Sequence, residues 1–416
     1  MNDLQLRALT AEDLPAYWKL ACAAFHSKNP GLEDEGAFLE NCVKKEKAEK
    51  ENPTALGNCL TRTGLFCEGK LLSTLTANAF EIHFDGTVCE MCGIGGVMSD
   101  PTARRTGGVT RVLCHEFTAM RERGQIFSHL YPFQTSFYRK FGYEHCAFSV
   151  KWTIPIQFLP TGNCGSIQFF ENTPLQQQDV RQVYAGFAAR YNLAVDRSDT
   201  RWEDFFNAHA PFASGIYAYL HYGASGPDAF LAYRMPPPDD ASTTLTVADL
   251  YFTTADALRQ MLIFLGQFRA YASEVILSLP QDVDISNWLT ELCSAYDKCN
   301  VRREIIHRGA SRVVDVEKAL YLARYLGAGA ANIRVLDRDC PWNDKAFHVE
   351  FDETCRSVTE AEDWDIQLNI ADFTALILGS RDLSQACYMD GVEIRGNMEN
   401  LQKIFYRKPL WIGDSF

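Results

Sequence analysis

GGVMSDPTARRTGGV, residues Gly95 to Val109, is the stretch that decides the reading of this chain. Its apolar start suits a strand and its centre a tight turn. The amphipathic run that continues to Met120 suits a helix. Arg104 and Arg105 stand beside Thr106, Gly107 and Gly108, so two cations adjoin residues that let the backbone bend closely. Amides at a helix start can cradle phosphates, and the arginines would neutralise their charge. A β-branched residue at Gly107 is expected to obstruct the turn and the close approach of a ligand.

The flanks alternate strands and helices, which predicts an α/β class. Leu4 to Arg7 reads as a strand, and Thr10 with Asp13 as a capping box for a helix through Ala24. Residues 28–53 are charged and partly helical. Leu71 to Phe80, Val88 to Met98, Ser128 to Pro132 and Ala147 to Ile154 read as strands, and Val109 to Arg123 as a helix. A second part is expected to hold a helix over Val180 to Tyr191 and strands at Ile216 to Tyr222, Ala229 to Met235 and Leu245 to Tyr251. Pro236 to Asp240 is a turn, Ala257 to Ala270 a helix opened by Thr254 and Asp256, and Glu274 to Leu279 a strand. Its element order echoes the first part, without an Arg-Arg-Thr-Gly-Gly loop. In a third part Val313 to Val316 starts a strand and Glu317 to Leu326 is a helix. Strands follow at Ala346 to Phe351, from Val358 and at Asp365 to Ile370, then a helix over Asp372 to Leu378. The expected domains are 1–155, 156–298 and 299–416.

Composition narrows the function. A chain of 416 residues implies about two to four domains. With 47% hydrophobic and 22% charged residues it reads as a soluble globular protein. The net charge of −13 argues against nucleic acid as the main ligand and favours cationic substrates. The start MNDLQLRALTAEDLP carries acids and no apolar core, so no secretory signal is expected, nor any membrane span. The 14 cysteines are scattered apart from Cys89 and Cys92, a lone CxxC on an expected strand. They read as thiols in a reducing cytoplasm, with no metal site.

Four elements in order carry a family resemblance: Arg104–Val109, Phe137-Tyr-Arg-Lys-Phe-Gly-Tyr143, Arg312-Val-Val-Asp-Val-Glu-Lys-Ala-Leu320, and Trp411 to Phe416. The chain resembles the Eis (enhanced intracellular survival) family of bacterial N-acetyltransferases, within the GCN5-related N-acetyltransferase (GNAT) superfamily. The resemblance implies an α+β chain of two tandem GNAT-like domains followed by a sterol-carrier-protein-like domain. It implies a cytoplasmic homo-oligomer, a hexamer in the family. It implies transfer of acetyl from acetyl-CoA to a primary amine by direct attack, the amine being an aminoglycoside, a polyamine or a lysine side chain.

The same resemblance assigns roles. Val97, Met98 and Ser99 form the splayed strand beside the pantetheine arm. Arg104, Arg105, Thr106, Gly107, Gly108 and Val109 hold the pyrophosphate, and Phe133 joins the cofactor contacts. Tyr138 is the general acid beside the coenzyme sulfur, since a phenol with a reference pKa of about 10 can return a proton to a leaving thiolate. Tyr143 is the local competitor, better suited to a packed aromatic with a bonded hydroxyl. The chain ends at Ser415-Phe416 with no polar tail, and the Phe416 carboxylate is expected to help take up the amine's proton, directly or through water.

Other polar groups read as structural. Glu33, Asp34, Glu35 and Glu40 are candidates for an acidic rim, with a charged helix face as the plainer reading. His26 and His83 lack ligand-spaced companions, and His115 with Glu116 is expected on the surface of the helix after the loop. The rival class is a non-enzymatic scaffold whose third domain binds a hydrophobic ligand, and it predicts no affinity for acetyl-CoA.

Overall fold

The computed structural model describes residues 4–51, 60–235, 243–295, 298–352 and 356–415. Contacts divide the chain into two units. One joins Met1–Cys146 with Gly309–Arg407 and Asp414–Phe416, and the other joins Ala147–Arg308 with Lys408–Gly413.

In the first unit β1 (Leu4–Ala8), β2 (Leu60–Cys67), β3 (Lys70–Phe84) and β4 (Thr87–Ser99) form an antiparallel meander. The helices before it are α1 (Leu14–Phe25) and α2 (Glu35–Glu51), and α3 (Gly108–Glu122) follows. Asp13 accepts the Thr10 amide at 2.8 Å, so the expected capping box forms one short turn ahead of α1. Next come β5 (Phe127–Leu130) and α4 (Thr135–Arg139). Val112, Leu113, Phe117 and Met120 recur on one stripe of α3 and pack on Leu75, Ala77, Cys92 and Ile94 of the sheet. Tyr17, Leu20 and Ala21 of α1 pack with Phe66, Leu71 and Met98. Glu116, expected at the surface, is buried instead. Its helical phase points it inward, where Arg123 pairs with it and the Thr63 hydroxyl donates to it at 3.2 Å.

The second unit repeats this plan. Its elements are β6 (Phe148–Pro155), β7 (Ser166–Phe169), α5 (Pro174–Ala188), α6 (Asp199–Ala208), β8 (Tyr217–Gly223), β9 (Gly226–Arg234), β10 (Thr244–Phe252), α7 (Ala255–Leu265), β11 (Glu274–Pro280) and β12 (Arg302–His307). Strands β7 to β10 form the meander, β10 pairs parallel with β11, and β6 lies between β11 and β12. The strand grouped by sequence with the first part therefore hydrogen-bonds here, and so does Arg302–His307, which was placed with the third. Both partners are remote in sequence. The helix expected from Val180 starts at Pro174, because Thr173 caps it through the Gln176 amide and proline suits its first turn. The turn expected at Pro236–Asp240 lies outside the described residues.

A partly buried polar network borders this second core. His209 Nε2 lies 2.9 Å from Asp249, the Tyr251 hydroxyl donates to Asp249 at 2.7 Å, and Arg197 donates to Tyr251 at 2.9 Å. Burial alone would raise the Asp249 pKa. The bonds from His209 and Tyr251 and the Arg197 charge outweigh burial and hold it below the usual carboxylate value. A lowered folded pKa stabilises above the unfolded value of about 3.9, and that contribution is lost as pH falls through the folded one. Asp249→Asn is therefore expected to flatten the loss of stability below about pH 4, as followed by tryptophan fluorescence during acid unfolding.

The chain then returns to the first unit. Strand β13 (Ala310–Val313) pairs antiparallel with β5, Arg312 opposite Ser128. It ends where the sequence suggested a strand would begin, because Asp315 caps α8 (Val316–Leu322) by accepting the Lys318 amide at 3.1 Å. A five-stranded sheet follows from β14 (Gly329–Leu336), β15 (Ala346–Phe351), β16 (Arg356–Ala361), β17 (Ile366–Asn369) and β18 (Glu393–Ile394), in the order β16-β15-β14-β17-β18. With it run α9 (Ile370–Ile377) and α10 (Met398–Ile404).

Arg312 ties these parts together. Its fully buried guanidinium meets both Asp337 oxygens at 2.7 Å, donates to the Phe141 carbonyl and lies 4.3 Å over the Phe117 ring. Gly142 sits against it at φ +75°, and a Cβ there would run into Arg312 and Ile370. Among the described residues no helix is long and apolar enough to cross a membrane.

Candidate active site

The site grows from a mismatch between two strands. β4 and β5 pair in parallel from Met91–Ile94 with Phe127–Leu130, and there the pairing stops. β4 runs on through Val97, Met98 and Ser99 with only β3 beside it among the described strands. A bulge marks the departure: Thr74 and Thr76 of β3 face Met98 and Gly95, so β4 carries one extra residue. Gly96 lies in the bulge at φ +54°, where a Cβ would approach the Thr76 and Tyr17 hydroxyls to 2.9 Å. Glycine is required by both the angle and the space.

The loop comes next. Asp100 accepts the Thr102 amide at 2.8 Å and pairs with Lys70 at 2.7 Å, which together hold its carboxyl down to about 2. Arg105 has φ +65° and Gly107 φ +82°, and Gly107 stands at the start of α3 without a side-chain cap. The first amides of this 15-residue helix thus have no partner in the helix or from a cap. Arg104 and Arg105 are exposed beside them, and among the described residues neither forms an ion pair.

The structure moves the crowding by one residue. A Cβ at Gly107 would meet nothing within 4 Å, so a β-branched residue there is disfavoured by the positive φ and not by obstruction. Gly108 is the crowded position, because a Cβ there would collide with Ser73 and touch Leu65 at 3.6 Å. That glycine lets α3 start close against β3.

These elements enclose a cavity of about 750 Å³. Of the sequence-predicted cofactor residues, Val97, Met98, Ser99, Arg104, Arg105, Gly107, Gly108, Val109 and Phe133 line it. Thr106 does not, since its hydroxyl turns back onto the Ala103 carbonyl at 2.8 Å. Ala24, Phe25, Thr110, Gln134 and Phe137 also line it and were not singled out by sequence. Phe25 could have been noticed as an apolar residue at the last position of an amphipathic helix. Phe133 is 76% exposed, which is unusual for a phenylalanine and leaves its face open to a ligand.

Tyr138 lies on α4, against the rings of Phe133 and Phe137 at 5.8 and 5.1 Å. Burial pushes its phenol up to about 12, so it is protonated at neutral pH. Tyr143 is fully buried, donates to or accepts from Ser128 at 2.7 Å, and is pushed up by desolvation still further. Arg139, next to Tyr138, holds Glu144 through two 2.8 Å bonds, while the Glu144 amide donates to Ser311 at 2.9 Å. The last turn of α4 is thereby fixed to β13.

Phe416 lies outside the described residues. Two positions before it, the Asp414 carbonyl accepts the Tyr131 hydroxyl at 2.7 Å, immediately after the end of β5. The acidic candidates sit elsewhere. Asp34 caps α2 by accepting the Ala37 amide at 3.0 Å, Glu35 pairs with Lys19, and neither these nor Glu33 and Glu40 line the cavity. Cys89 and Cys92 are three apart on β4, hence on opposite faces, and both are buried with thiol pKa values raised by desolvation. Among the described residues no group of three His, Cys, Asp or Glu is placed to hold a metal ion.

The second unit differs at the matching helix start. Its corresponding helix, α7, is capped by Thr254, which accepts the Ala257 amide at 3.1 Å, and Asp256 stands in its first turn. A hydroxyl and an acid occupy the place that a phosphate would need.

For the loop, replacing Arg105 by alanine is expected to weaken binding of acetyl-CoA about 10-fold, as one charge-assisted contact is lost. The melting temperature should stay within a degree or so, because the side chain is exposed and makes no ion pair. Calorimetric titration reads the first and thermal denaturation the second.

Comparison with known proteins agrees with this geometry. Residues 5–146 and 193–303 each match acetyltransferase (GNAT) domain models, and residues 316–413 match the sterol carrier protein domain. An uncharacterized N-acetyltransferase of Streptomyces griseus is 26% identical over 192 residues. That match spans 42% of this chain and about half, 46%, of the relative. The fold of the whole chain is shared with Eis1 from Mycobacterium abscessus (TM-score 0.77, 18% identity, 99% of this chain and 100% of that one). It is shared too with a GCN5-related N-acetyltransferase from Anabaena variabilis (TM-score 0.79, 18% identity, 99% and 100%). A probable N-acyltransferase from Enterococcus faecalis is similar to the same extent (TM-score 0.77, 19% identity, 99% and 98%). The chain belongs to the GNAT acetyltransferases and has the architecture of the Eis family, two GNAT domains followed by a sterol carrier protein domain.

Proposed function

We propose that the first GNAT domain binds acetyl-CoA and transfers its acetyl group to a primary amine. One observation carries this reading: the cavity joins a splayed strand to an uncapped helix start beside two unpaired arginines. The loop amides from Arg105 to Val109 and the two guanidinium groups anchor the pyrophosphate. The free edge of Val97-Met98-Ser99 receives the pantetheine arm. No charge develops at those groups during the reaction, so their work is to position the thioester.

The amine nitrogen attacks the thioester carbonyl, the carbon–sulfur bond breaks, and Tyr138 gives its proton to the leaving thiolate. The proton of the attacking nitrogen passes to the Phe416 carboxylate, with a water between them because a carboxylate is a weak base. The Tyr131–Asp414 bond supports this role, since it holds the chain two residues before Phe416 beside the end of β5. A net charge of −13 suits cationic amines such as polyamines, aminoglycosides or lysine side chains. Thiol release from acetyl-CoA across a panel of such amines, with calorimetry for the coenzyme, tests the reading. Absence of both turnover and coenzyme binding would favour the scaffold alternative.

The terminal group has its own test. A Gly-Ser extension moves the charge and keeps the ring, whereas Phe416→Leu keeps the charge and changes the ring. Turnover is expected to fall about 10-fold or more in the extended protein and less in the leucine variant. A fully active extended protein would remove the carboxylate from the mechanism.

A further inference from the structure

The first unit has another cavity, of about 520 Å³, framed by the start of α1, by α2 and by the first residues of β2. Trp18, Asn29, Asn41, Lys45 and Arg62 are among its walls, and among the described residues no aspartate or glutamate is. That is unexpected in a chain with 53 acidic and 40 basic residues, where neighbouring cations do find acids, as Arg7 finds Asp13 and Lys19 finds Glu35. Arg62 and Lys45 form no ion pair among the described residues. The Arg62 Nε is buried with no acceptor, and its guanidinium carbon lies 5.0 Å over the Tyr17 ring. A buried donor without a partner is costly, and a guanidinium packed on an aromatic face presents a rigid fork suited to two oxygens. Asn29 already uses its side-chain oxygen on the Gly31 amide, which leaves its NH2 as a donor.

We propose that this cavity is an anion-binding site, with Arg62 and Lys45 as its charged ligands and a small carboxylate- or phosphate-bearing molecule as its occupant. Arg62 supplies the directional contacts and Lys45 a mobile charge at the rim. Trp18 gives the cavity a flat apolar wall, so a compact organic anion fits its chemistry better than a hydrated inorganic one. The site shares no lining residue with the coenzyme cavity and stands whether or not the transferase reading does. Tyr17 lies between the two in the chain of contacts. Its ring is covered by Arg62, and its hydroxyl bonds Thr76 at 3.1 Å beside the Gly96 bulge.

The test is a titration of the full chain with inorganic phosphate and with succinate, against chloride at matched ionic strength. Coenzyme A is present at saturation, and an Arg104→Ala, Arg105→Ala protein is run in parallel, so binding at the phosphate loop is removed in either case. Saturable binding of at least one probe is expected, weakened about 10-fold by Arg62→Met and several-fold by Lys45→Met. Lys45 is exposed, so its variant folds normally and guards against misreading a damaged Arg62 variant. Preference for phosphate or for succinate identifies the occupant's charged group. No saturable binding beyond chloride, or binding unchanged in both variants, would overturn the site.

Discussion

Tyr138→Phe is expected to lower turnover about 100-fold while acetyl-CoA binds as before. The phenol is the only part removed, and the ring that packs on Phe133 and Phe137 remains. Because burial holds the phenol up to about 12, the donor stays charged with its proton through the whole neutral range. The pH profile of the native protein should therefore show no falling limb from this group below that value. Tyr143→Phe is the matched control. It loses the bond to Ser128 and leaves a buried hydroxyl unpartnered, which costs about 1–3 kcal/mol of stability with turnover per folded molecule kept. The opposite pattern, activity lost at Tyr143 and kept at Tyr138, would transfer the acid to Tyr143.

The second large effect concerns stability. Asp337→Ala strands the Arg312 guanidinium as an unpaired charge in the core, for which about 3–5 kcal/mol of destabilisation is expected. The damage should be local at first. Arg312 also donates to the Phe141 carbonyl, two residues beyond α4, and is packed on Phe117 of α3. Hydrogen–deuterium exchange should then quicken over residues 135–145 ahead of the second unit. Uniform loss of protection across both units would mean that Arg312 does not act specifically on α3 and α4. Arg312→Met with Asp337→Leu, which removes both charges, should recover part of the loss.

Much of the site was legible because it is continuous in sequence. A strand, a turn with Arg104 to Gly108 and an amphipathic helix announce themselves by local chemistry, and the cavity is lined by nine of the ten residues picked for the coenzyme. Thr106 escaped because hydroxyl direction is not encoded in spacing, and its bond to Ala103 turns it away. The crowding at Gly108 escaped for a related reason, since it depends on Ser73, a residue 35 positions earlier. Strand partnership was the least legible feature. Phe148–Pro155 bonds to segments more than 100 residues later, and Ala310–Val313 to one nearly 200 residues earlier, and neither periodicity nor capping reports such distances. The Arg312–Asp337 pair arises only once Ala310–Val313 has found β5, and the cavity at Arg62 only when α1, α2 and β2 come together.

The starts of α3 and α7 have one more consequence. Two copies of one fold within a chain open their matching helices differently. In the second copy the protein supplies its own oxygen and its own negative charge, Thr254 and Asp256, at the spot where the first leaves its amides for a visitor. An internal surrogate of that kind would compete with a bound phosphate while leaving the fold intact. Calorimetric titration with acetyl-CoA is accordingly expected to saturate at one coenzyme for each chain, at the helix that opens with glycine and not at the one that opens with an acid.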